Sequence, residues 1–250
     1  MATRPLLLFS GGLDSTVMLQ LALRESPVDV LYGECGQHRQ KVIKEREARG
    51  KIIAHYNDVM PYKVWNEFEP NQEISLNGSP YKSWGQMVPW LVYAIQAVDP
   101  EQHSEVQIGF VMGDSNAVVF DEVVKAWNSL WAISKTGPVV PLVFPLSREV
   151  KPNLLNKLDP RVYSMIWVCE TPSSDKKCGS CLPCMTHQHA LNLFKNAKGV
   201  SYPKVIKARL KRIADNIDYG LATKTDPEYT QFRCTNKIRR HTHHYNWEEM

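Results

Sequence analysis

Long apolar runs, internal repeats and low-complexity tracts are all missing from this chain of 250 residues. No run approaches the roughly 18 apolar residues that a membrane helix needs, so the sequence predicts no membrane span. A strong excess of one charge is missing too. The formal net charge of +4 suits binding of anionic nucleotides, but it is too small to indicate a nucleic-acid-binding protein by itself. No charged-then-apolar signal peptide is seen at the start of the chain, so we expect a cytoplasmic protein.

The glycine-rich segment near the start of the chain lacks the lysine of a GxxxxGK[ST] loop and the spacing of a GxGxxG loop. It reads FSGGLDST at 9–16, between apolar residues 6–8 and a helix-compatible stretch at 17–23. A strand, a glycine turn and a helix N-terminus in this order leave backbone N–H groups and the positive end of a helix dipole at the turn. The alternative is a serine-rich turn that only caps a helix, with Asp14 as an ordinary first-turn carboxylate. We predict that a nucleotide phosphate binds to Phe9, Ser10, Gly11, Gly12, Leu13, Asp14, Ser15 and Thr16.

A cysteine cluster lies far along the chain, where four of the six cysteines fall within sixteen positions. Their C-x8-C-x2-C-x2-C spacing allows four thiolates to surround one tetrahedral zinc ion. Disulfides are the alternative, but a reducing compartment favours metal. Four protein ligands leave no open position for a catalytic water, so we expect structural zinc that fixes a loop. The predicted ligands are Cys169, Cys178, Cys181 and Cys184.

The two motifs together resemble a known family. SGGLDS is similar to the SGGxDS signature of PP-loop pyrophosphatases, which split ATP between the α and β phosphates. With the late cysteine cluster, the chain resembles the 7-cyano-7-deazaguanine synthases. Residues 32–38 (YGECGQH) look like that family's YGQRH segment, 141–142 open a stretch like its PLxxLxK segment, and 166–169 (IWVC) look like its TWSC segment. The resemblance spans roughly residues 5–195.

This resemblance implies an α/β fold of the PP-loop, adenine-nucleotide-hydrolase type and an ATP-dependent C–N ligase. Members activate 7-carboxy-7-deazaguanine with ATP, add ammonia to give an amide, and activate that amide again to give the nitrile. The chain departs from the family where substrate is expected to bind: Trp90-Leu91 stands in place of an Arg-Asn pair, 117–121 replaces a YPDCR-like segment, His187 replaces an arginine, and Arg148 replaces a lysine. The final product is therefore left open.

The resemblance also implies roles for individual residues. The glycine segment would bind the β and γ phosphates with a bridging Mg²⁺, with Asp14 and Ser15 as catalytic candidates. Arg148 would neutralise the α-phosphate as it transfers. Gln37 and His38 would orient the acceptor or move a proton, although a structural role for His38 is equally open. Trp90 is a departure from the family, and its aromatic face, rather than the resemblance, suggests that it stacks on the deazapurine ring.

The order of the elements favours a parallel sheet with nucleotide binding at the carboxyl ends of its strands. We expect strands at 6–9, 28–33, 62–65, 106–111 and 161–167, and helices at 15–24, 39–55, 88–98 and 121–134. Residues 66–86 are interpreted as a long loop, either a lid or a plain surface excursion. A PP-loop domain at 1–195 would include the zinc loop at 169–184, and a helical, basic extension would follow at 196–250.

Three functions stay open at this stage. The first is the carboxylate-to-nitrile synthase, whose partners are ATP, 7-carboxy-7-deazaguanine and ammonia. The second keeps the adenylation step but transfers the acyl group to a protein amine, as in an antiviral defence system. The third is a zinc-stabilised tRNA-modifying or nucleic-acid-binding module, supported only by the basic stretch at 202–217. A homodimer is one assembly that the sequence leaves open, and no membrane partner is expected.

Overall fold

The computed structural model describes residues 3–34, 39–69, 87–111, 120–172 and 175–195. Helices and strands alternate along most of this part of the chain. In order they are β1 (Arg4–Leu8), α1 (Leu13–Glu25), β2 (Val28–Leu31), α2 (Arg39–Val59), β3 (Val64–Phe68), α3 (Met87–Ala97), β4 (His103–Ile108), α4 (Phe120–Ser134), β5 (Leu142–Val143), α5 (Lys151–Lys157) and α6 (Leu182–Lys195).

The five strands form one sheet in the order β3-β2-β1-β4-β5, and every neighbouring pair is parallel. The chain order reverses at β1, which lies at the centre with β2 on one side and β4 on the other. In open parallel sheets, ligands bind outside the carboxyl ends of the strands at such a switch point. The expected α/β fold with a parallel sheet is confirmed, and the glycine segment follows the strand at the switch point.

Two apolar cores cover the two faces of the sheet. Leu7 of β1 belongs to a core that includes Val17 of α1, Ile52 of α2 and Leu154 of α5. Its neighbours Leu6 and Leu8 belong to a second core with side chains of α3 and α4. Because successive side chains of a strand point to opposite faces, a strand covered on both faces must be apolar throughout. That requirement explains the continuous run of leucines in β1.

The expected strand at 161–167 is wrong. Residues 161–165 form turns, and the fifth strand is instead the short β5. Asp159 initiates the turns: its side chain accepts a hydrogen bond from the Arg161 backbone N–H at 2.9 Å, and its carbonyl accepts one from Val162 at 3.0 Å. Val162 and Ile166 are buried in the core beside α1 and α5, so their apolar character reflects packing of a turn. The Asp-Pro pair at 159–160 is a turn signal that outweighs the apolar pattern.

A buried carboxylate connects four strands at the amino end of the sheet. Asp29 of β2 accepts hydrogen bonds from Arg4 Nε of β1 at 2.8 Å and from the Asn66 backbone N–H of β3 at 3.0 Å. Its Oδ2 also lies 3.0 Å from His103 Nε2 of β4. The Asp99 N–H donates to His103 Nδ1 at 2.9 Å, so Nε2 carries the proton and donates to Asp29. This network lies at the edge opposite the glycine segment.

No helix within the described ranges is long and apolar enough to cross a membrane. The other expected helices and strands are present with shifted ends; the third strand, for example, begins at Val64 rather than at residue 62. Most of the expected loop at 66–86 and all of the expected extension at 196–250 lie outside the described residues. The proposed domain division at 195 therefore stays a prediction.

Candidate nucleotide and metal sites

The glycine segment forms a tight turn between β1 and α1. Gly11 has a φ of +78°, a conformation that favours glycine, and Gly12 is the extended N-cap residue of α1. The Ser15 hydroxyl stabilises this turn through two hydrogen bonds. It accepts one from the Ser10 backbone N–H at 3.3 Å and donates one to the Gly12 carbonyl at 3.3 Å. A glycine N-cap offers no side chain to the first N–H groups of the helix. The turn thus has the architecture of an anion site.

Two neighbouring segments hold this turn closely in place. A Cβ added at Gly11 would lie 3.2 Å from Ala48 and Arg49 of α2. A Cβ added at Gly109, just beyond β4, would lie 3.2 Å from the carbonyl carbon of Asp14 and the nitrogen of Ser15. The first turn of α1 therefore rests directly against the backbone that follows β4.

A lysine that the sequence analysis did not single out lies beside the turn. Lys151, the first residue of α5, forms an ion pair with Asp14, with Nζ 3.3 Å from Oδ2. Arg148, the expected phosphate-binding cation, is exposed three residues earlier. The alignment began the PLxxLxK segment at Pro141 and so assigned this role to Arg148, whereas a segment that begins at Pro145 has its final lysine at Lys151. Lys151 lies close to Asp14 because α5 begins at this residue.

Thr16 adds a polar group on the same turn of α1. Its side chain is fully buried, and its Oγ1 finds no hydrogen-bond partner among the described residues. A buried hydroxyl without a partner carries a free-energy cost, which a ligand oxygen can relieve. Together with Ser10, Ser15 and Lys151, it surrounds the glycine turn with donors suited to phosphate.

Four aromatic side chains gather at the carboxyl edge on the β4 and β5 side of the turn. Phe110 follows β4, Phe144 follows β5, Phe120 begins α4, and Trp90 lies in the first turn of α3. Phe120 and Phe144 stack with centroids 4.1 Å apart, and Trp90 stacks on Phe110 at 6.3 Å. Phe110 follows Gly109, whose added Cβ would lie 3.2 Å from the Asp14–Ser15 peptide, but the Phe110 ring packs in the core on the α3 and α4 face of the sheet. Trp90 and the turn therefore lie at the same edge.

The four expected metal ligands come together. The Sγ atoms of Cys169, Cys178, Cys181 and Cys184 all lie within 4.8 Å of one another, and none of the four is in a disulfide. Bonds of about 2.3 Å to one tetrahedral ion separate sulfurs by about 3.8 Å. In a four-iron cluster each thiolate binds a different iron, which separates the sulfurs further. The donor set and its compact spacing therefore fit a single four-coordinate ion.

Hydrogen bonds to sulfur complete this cluster. The backbone N–H of Cys178 donates to Cys169 Sγ at 3.2 Å, and that of Cys181 donates to Cys178 Sγ at 3.3 Å. The Thr171 hydroxyl and then the Cys181 N–H lower the pKa of Cys178 to about 5. Burial raises the pKa of Cys169, and it raises that of Cys184 to about 12. Metal binding must displace protons from the buried thiols, so its affinity depends on pH.

A row of charged side chains is buried on α2, and Arg49 at its end lies against Gly11 of the glycine turn. Lys41, Glu45 and Arg49 follow one another at four-residue spacing, and each is less than 10% exposed. Tyr32, just after β2, donates its hydroxyl to Glu45 at 2.6 Å, and its ring lies 3.5 Å from the Arg49 guanidinium. Burial raises the pKa of Glu45 and lowers the pKa of Arg49. The sequence analysis missed this row because a helix so rich in charge is typical of a solvated surface.

The remaining site residues named from the sequence are Gln37, His38 and His187, of which the structure describes only His187. Gln37 and His38 lie outside the described residues, so their role toward the acceptor stays a prediction. His187, which stands where the resembled family has an arginine, is buried in α6. Its Nε2 lies 3.4 Å from the Tyr163 hydroxyl, and burial lowers its pKa to about 4, so the ring is neutral at pH 7.

Comparison with solved structures finds the U34-tRNA thiolase NcsA from Methanococcus maripaludis, solved with its [4Fe-4S] cluster. The sequence identity is 17%, the TM-score is 0.43, and the match covers 96% of this chain and 72% of that chain. No family model matches the chain, and no curated protein does. A similarity at this level assigns neither an activity nor a metal to the chain. The α/β fold and the metal-binding arrangement of cysteines stand on the geometry described above.

Proposed function

We propose that this chain uses ATP to adenylate the carboxylate of 7-carboxy-7-deazaguanine and then forms the amide and the nitrile with ammonia. The observation that carries the proposal is the glycine turn at the switch point of the sheet, paired with Lys151 through Asp14. Helix N-termini at this place in open parallel sheets bind phosphates. The resemblance of SGGLDS to the PP-loop signature supports cleavage between the α and β phosphates.

In this proposal the turn binds the β and γ phosphates through backbone N–H groups and the hydroxyls of Ser10, Ser15 and Thr16. Lys151 supplies a compact positive charge toward the phosphates, a role that an exposed Arg148 fills less well. Asp14 holds Lys151 and helps to position the Mg²⁺ that accompanies ATP. A substrate carboxylate oxygen attacks the α-phosphorus, pyrophosphate leaves, and an acyl adenylate forms. No enzyme nucleophile is needed.

The aromatic cluster at the same edge of the sheet supports a planar acceptor. A ring stacked on Trp90 is stabilised by about 1–3 kcal/mol, by analogy with bases on aromatic side chains. The carboxylate on that ring is the group that ATP activates in this proposal. Ammonia attacks the carbonyl and AMP leaves. The amide oxygen then attacks the α-phosphorus of a second ATP, pyrophosphate leaves, and loss of AMP and protons gives the nitrile.

Zinc is the metal that we propose for the cysteine cluster. Four thiolates around one tetrahedral position are typical of structural zinc, and the spacing of the Sγ atoms within 4.8 Å fits that geometry. Zinc bound there closes the segment from Cys169 to Cys184 into a compact loop. Its contribution is to stability and to the placement of Trp167 and Glu170, which precede and follow Cys169.

The test incubates the purified protein with ATP, Mg²⁺, ammonium and 7-carboxy-7-deazaguanine, and follows pyrophosphate release together with the mass of the heterocycle. We expect release that depends on the heterocycle, and a product with the mass of the nitrile. If pyrophosphate is released but neither the amide nor the nitrile forms, and the mass of an added protein increases, then the acceptor of the acyl group is a protein amine and not ammonia. If the rate of pyrophosphate release does not depend on the heterocycle, 7-carboxy-7-deazaguanine is not the substrate. If no pyrophosphate is released, the proposed cleavage of ATP is wrong.

Lysine variants on α5 sharpen this test. Lys151→Gln should lower the rate of pyrophosphate release by roughly 100-fold or more, because a charge that stabilises the transferring phosphate is lost. Lys157→Gln is the matched control: Lys157 lies on the same helix, and its Nζ is 2.6 Å from Glu149 at the exposed surface. Equal rates for the two variants would remove Lys151 from the mechanism, and a loss confined to Arg148→Gln would restore the role expected from the alignment.

A further inference from the structure

The cysteine cluster is joined to the glycine turn through Trp167, two residues before Cys169. The Trp167 backbone N–H donates to the Gly11 carbonyl at 3.0 Å, and its indole Nε1–H donates to the Cys169 carbonyl at 3.0 Å. A Cβ on Gly12 would lie 3.5 Å from the Trp167 carbonyl. One residue thus contacts both glycines of the turn and the backbone of a metal ligand.

A second connection runs through α2. Lys41 Nζ lies 2.7 Å from Glu170 Oε2, and the Glu170 backbone N–H donates to Cys181 Sγ at 3.5 Å. On the same helix, Ala48 and Arg49 lie against Gly11. The cysteine segment therefore reaches the turn twice, directly at the Gly11 carbonyl and indirectly across the buried face of α2.

We propose that metal binding at the four cysteines and order in the glycine turn are energetically coupled, with Trp167 and the Lys41–Glu170 ion pair as the positioning groups. The turn has support from outside α1 because the Gly11 carbonyl accepts its hydrogen bond from the Trp167 backbone N–H. When the metal leaves, the four thiolates no longer fix residues 169–184, and the bond to Gly11 and the ion pair to α2 both weaken. The coupling to ATP affinity rests on the proposed function, whereas the coupling to the order of the turn does not.

Coupling of this kind is reciprocal, so ATP must strengthen metal retention by the same factor by which metal strengthens ATP affinity. Couplings between two binding sites typically amount to about 5- to 150-fold. We expect at least a 5-fold faster hydrogen exchange at the backbone of 9–16 after metal removal, and a Kd for ATP at least 5-fold higher.

The experiment compares metal-loaded and chelator-treated full-length protein by hydrogen exchange, with the peptide that covers 9–16 as the reporter and the peptide that covers β4 as the internal control. Faster exchange at 9–16 with unchanged exchange at β4 supports the coupling. Unchanged exchange at 9–16 overturns it, whatever ATP does. If exchange responds but calorimetry finds no ATP binding to the loaded protein, the proposed function fails and the coupling stands.

Glu170→Gln keeps all four ligands and provides a test that does not depend on metal removal. Glu170 is 41% exposed, so the variant can fold, yet it loses its charge toward Lys41. It should bind one metal per chain as before, release that metal to a chelator faster, and show partly raised exchange at 9–16. Lys51→Met, an exposed position on the same helix, is the matched control and should match wild type. Identical metal release and exchange in Glu170→Gln and Lys51→Met would rule out the ion pair as a positioning group.

Discussion

Replacing Gly109 by alanine tests the close contact between the end of β4 and the first turn of α1. The added Cβ would lie 3.2 Å from the carbonyl carbon of Asp14 and the nitrogen of Ser15, and 3.3 Å from the Asp14 oxygen. Favourable separations between carbon atoms are about 3.5–4.0 Å. One peptide group of α1 must therefore move by a few tenths of an ångström.

That movement is costly because α1 cannot shift as a body. Val17 and Leu19 of this helix are fully buried, and Val17 packs in the core that also holds Leu7 of β1. Overpacking of such a region lowers the free energy of unfolding by about 1–3 kcal/mol. The displaced peptide also belongs to the turn proposed to bind phosphate, so we expect pyrophosphate release to fall by roughly tenfold through misplacement.

Gly50→Ala is the matched control. Gly50 lies within α2, and a Cβ added there meets no atom within 4 Å. Alanine in a helix is more favourable than glycine by about 0.5–1 kcal/mol, so this variant should be more stable than wild type and equally active. Urea unfolding with an unchanged m-value measures both effects. A Gly109→Ala protein as stable and as active as wild type would show that the two segments do not press on each other.

Three further predictions follow from the site and its surroundings. Trp90→Ala should weaken apparent binding of the heterocycle by about 1–3 kcal/mol, as measured by ATP–pyrophosphate exchange. If the exchange rate does not depend on the heterocycle in either protein, Trp90 does not stack on it. Elemental analysis should find one zinc per chain, and Cys181→Ser should lower both the metal content and the free energy of unfolding, whereas a metal-free wild type purified under reducing conditions would contradict the cluster assignment. The Arg161 side chain, followed by its backbone N–H, holds the pKa of Asp159 well below its ordinary value of 3.8. The stabilisation from Asp159 is therefore complete above that value and is lost as the pH falls below it, so Asp159→Asn should be less stable at neutral pH and less sensitive to acid; parallel acid unfolding curves would argue against this.

Some of this architecture could be predicted because local signals agreed with the tertiary environment. The leucines of β1, the two glycines and the charged start of α1 each favour the conformation that they adopt. The cysteine spacing likewise predicted the cluster, because ligands separated by two residues can reach one metal without help from distant contacts.

Other features depend on contacts that no local pattern carries. β5 has only Leu142 and Val143, too few residues for an alternating pattern, and it is a strand because it pairs with β4. The row from Lys41 to Arg49 is buried by β2 and by the cysteine segment, although its composition is typical of a surface. In each case, packing between distant segments decided the outcome.

Asp29 also constrains the order in which this chain can fold. Its three donors come from β1, β3 and β4, and the last of them, His103, lies 74 residues further along the chain. A fragment that stops before β4 would keep the donors from Arg4 and Asn66 but lose the donor from His103, a loss of about 1–3 kcal/mol for a buried hydrogen-bonded group. The first three strands therefore reach their full stability only once residue 103 is present. Folding should consequently be all-or-none across the sheet, and a split of the chain between β3 and β4 should yield halves that become structured only together.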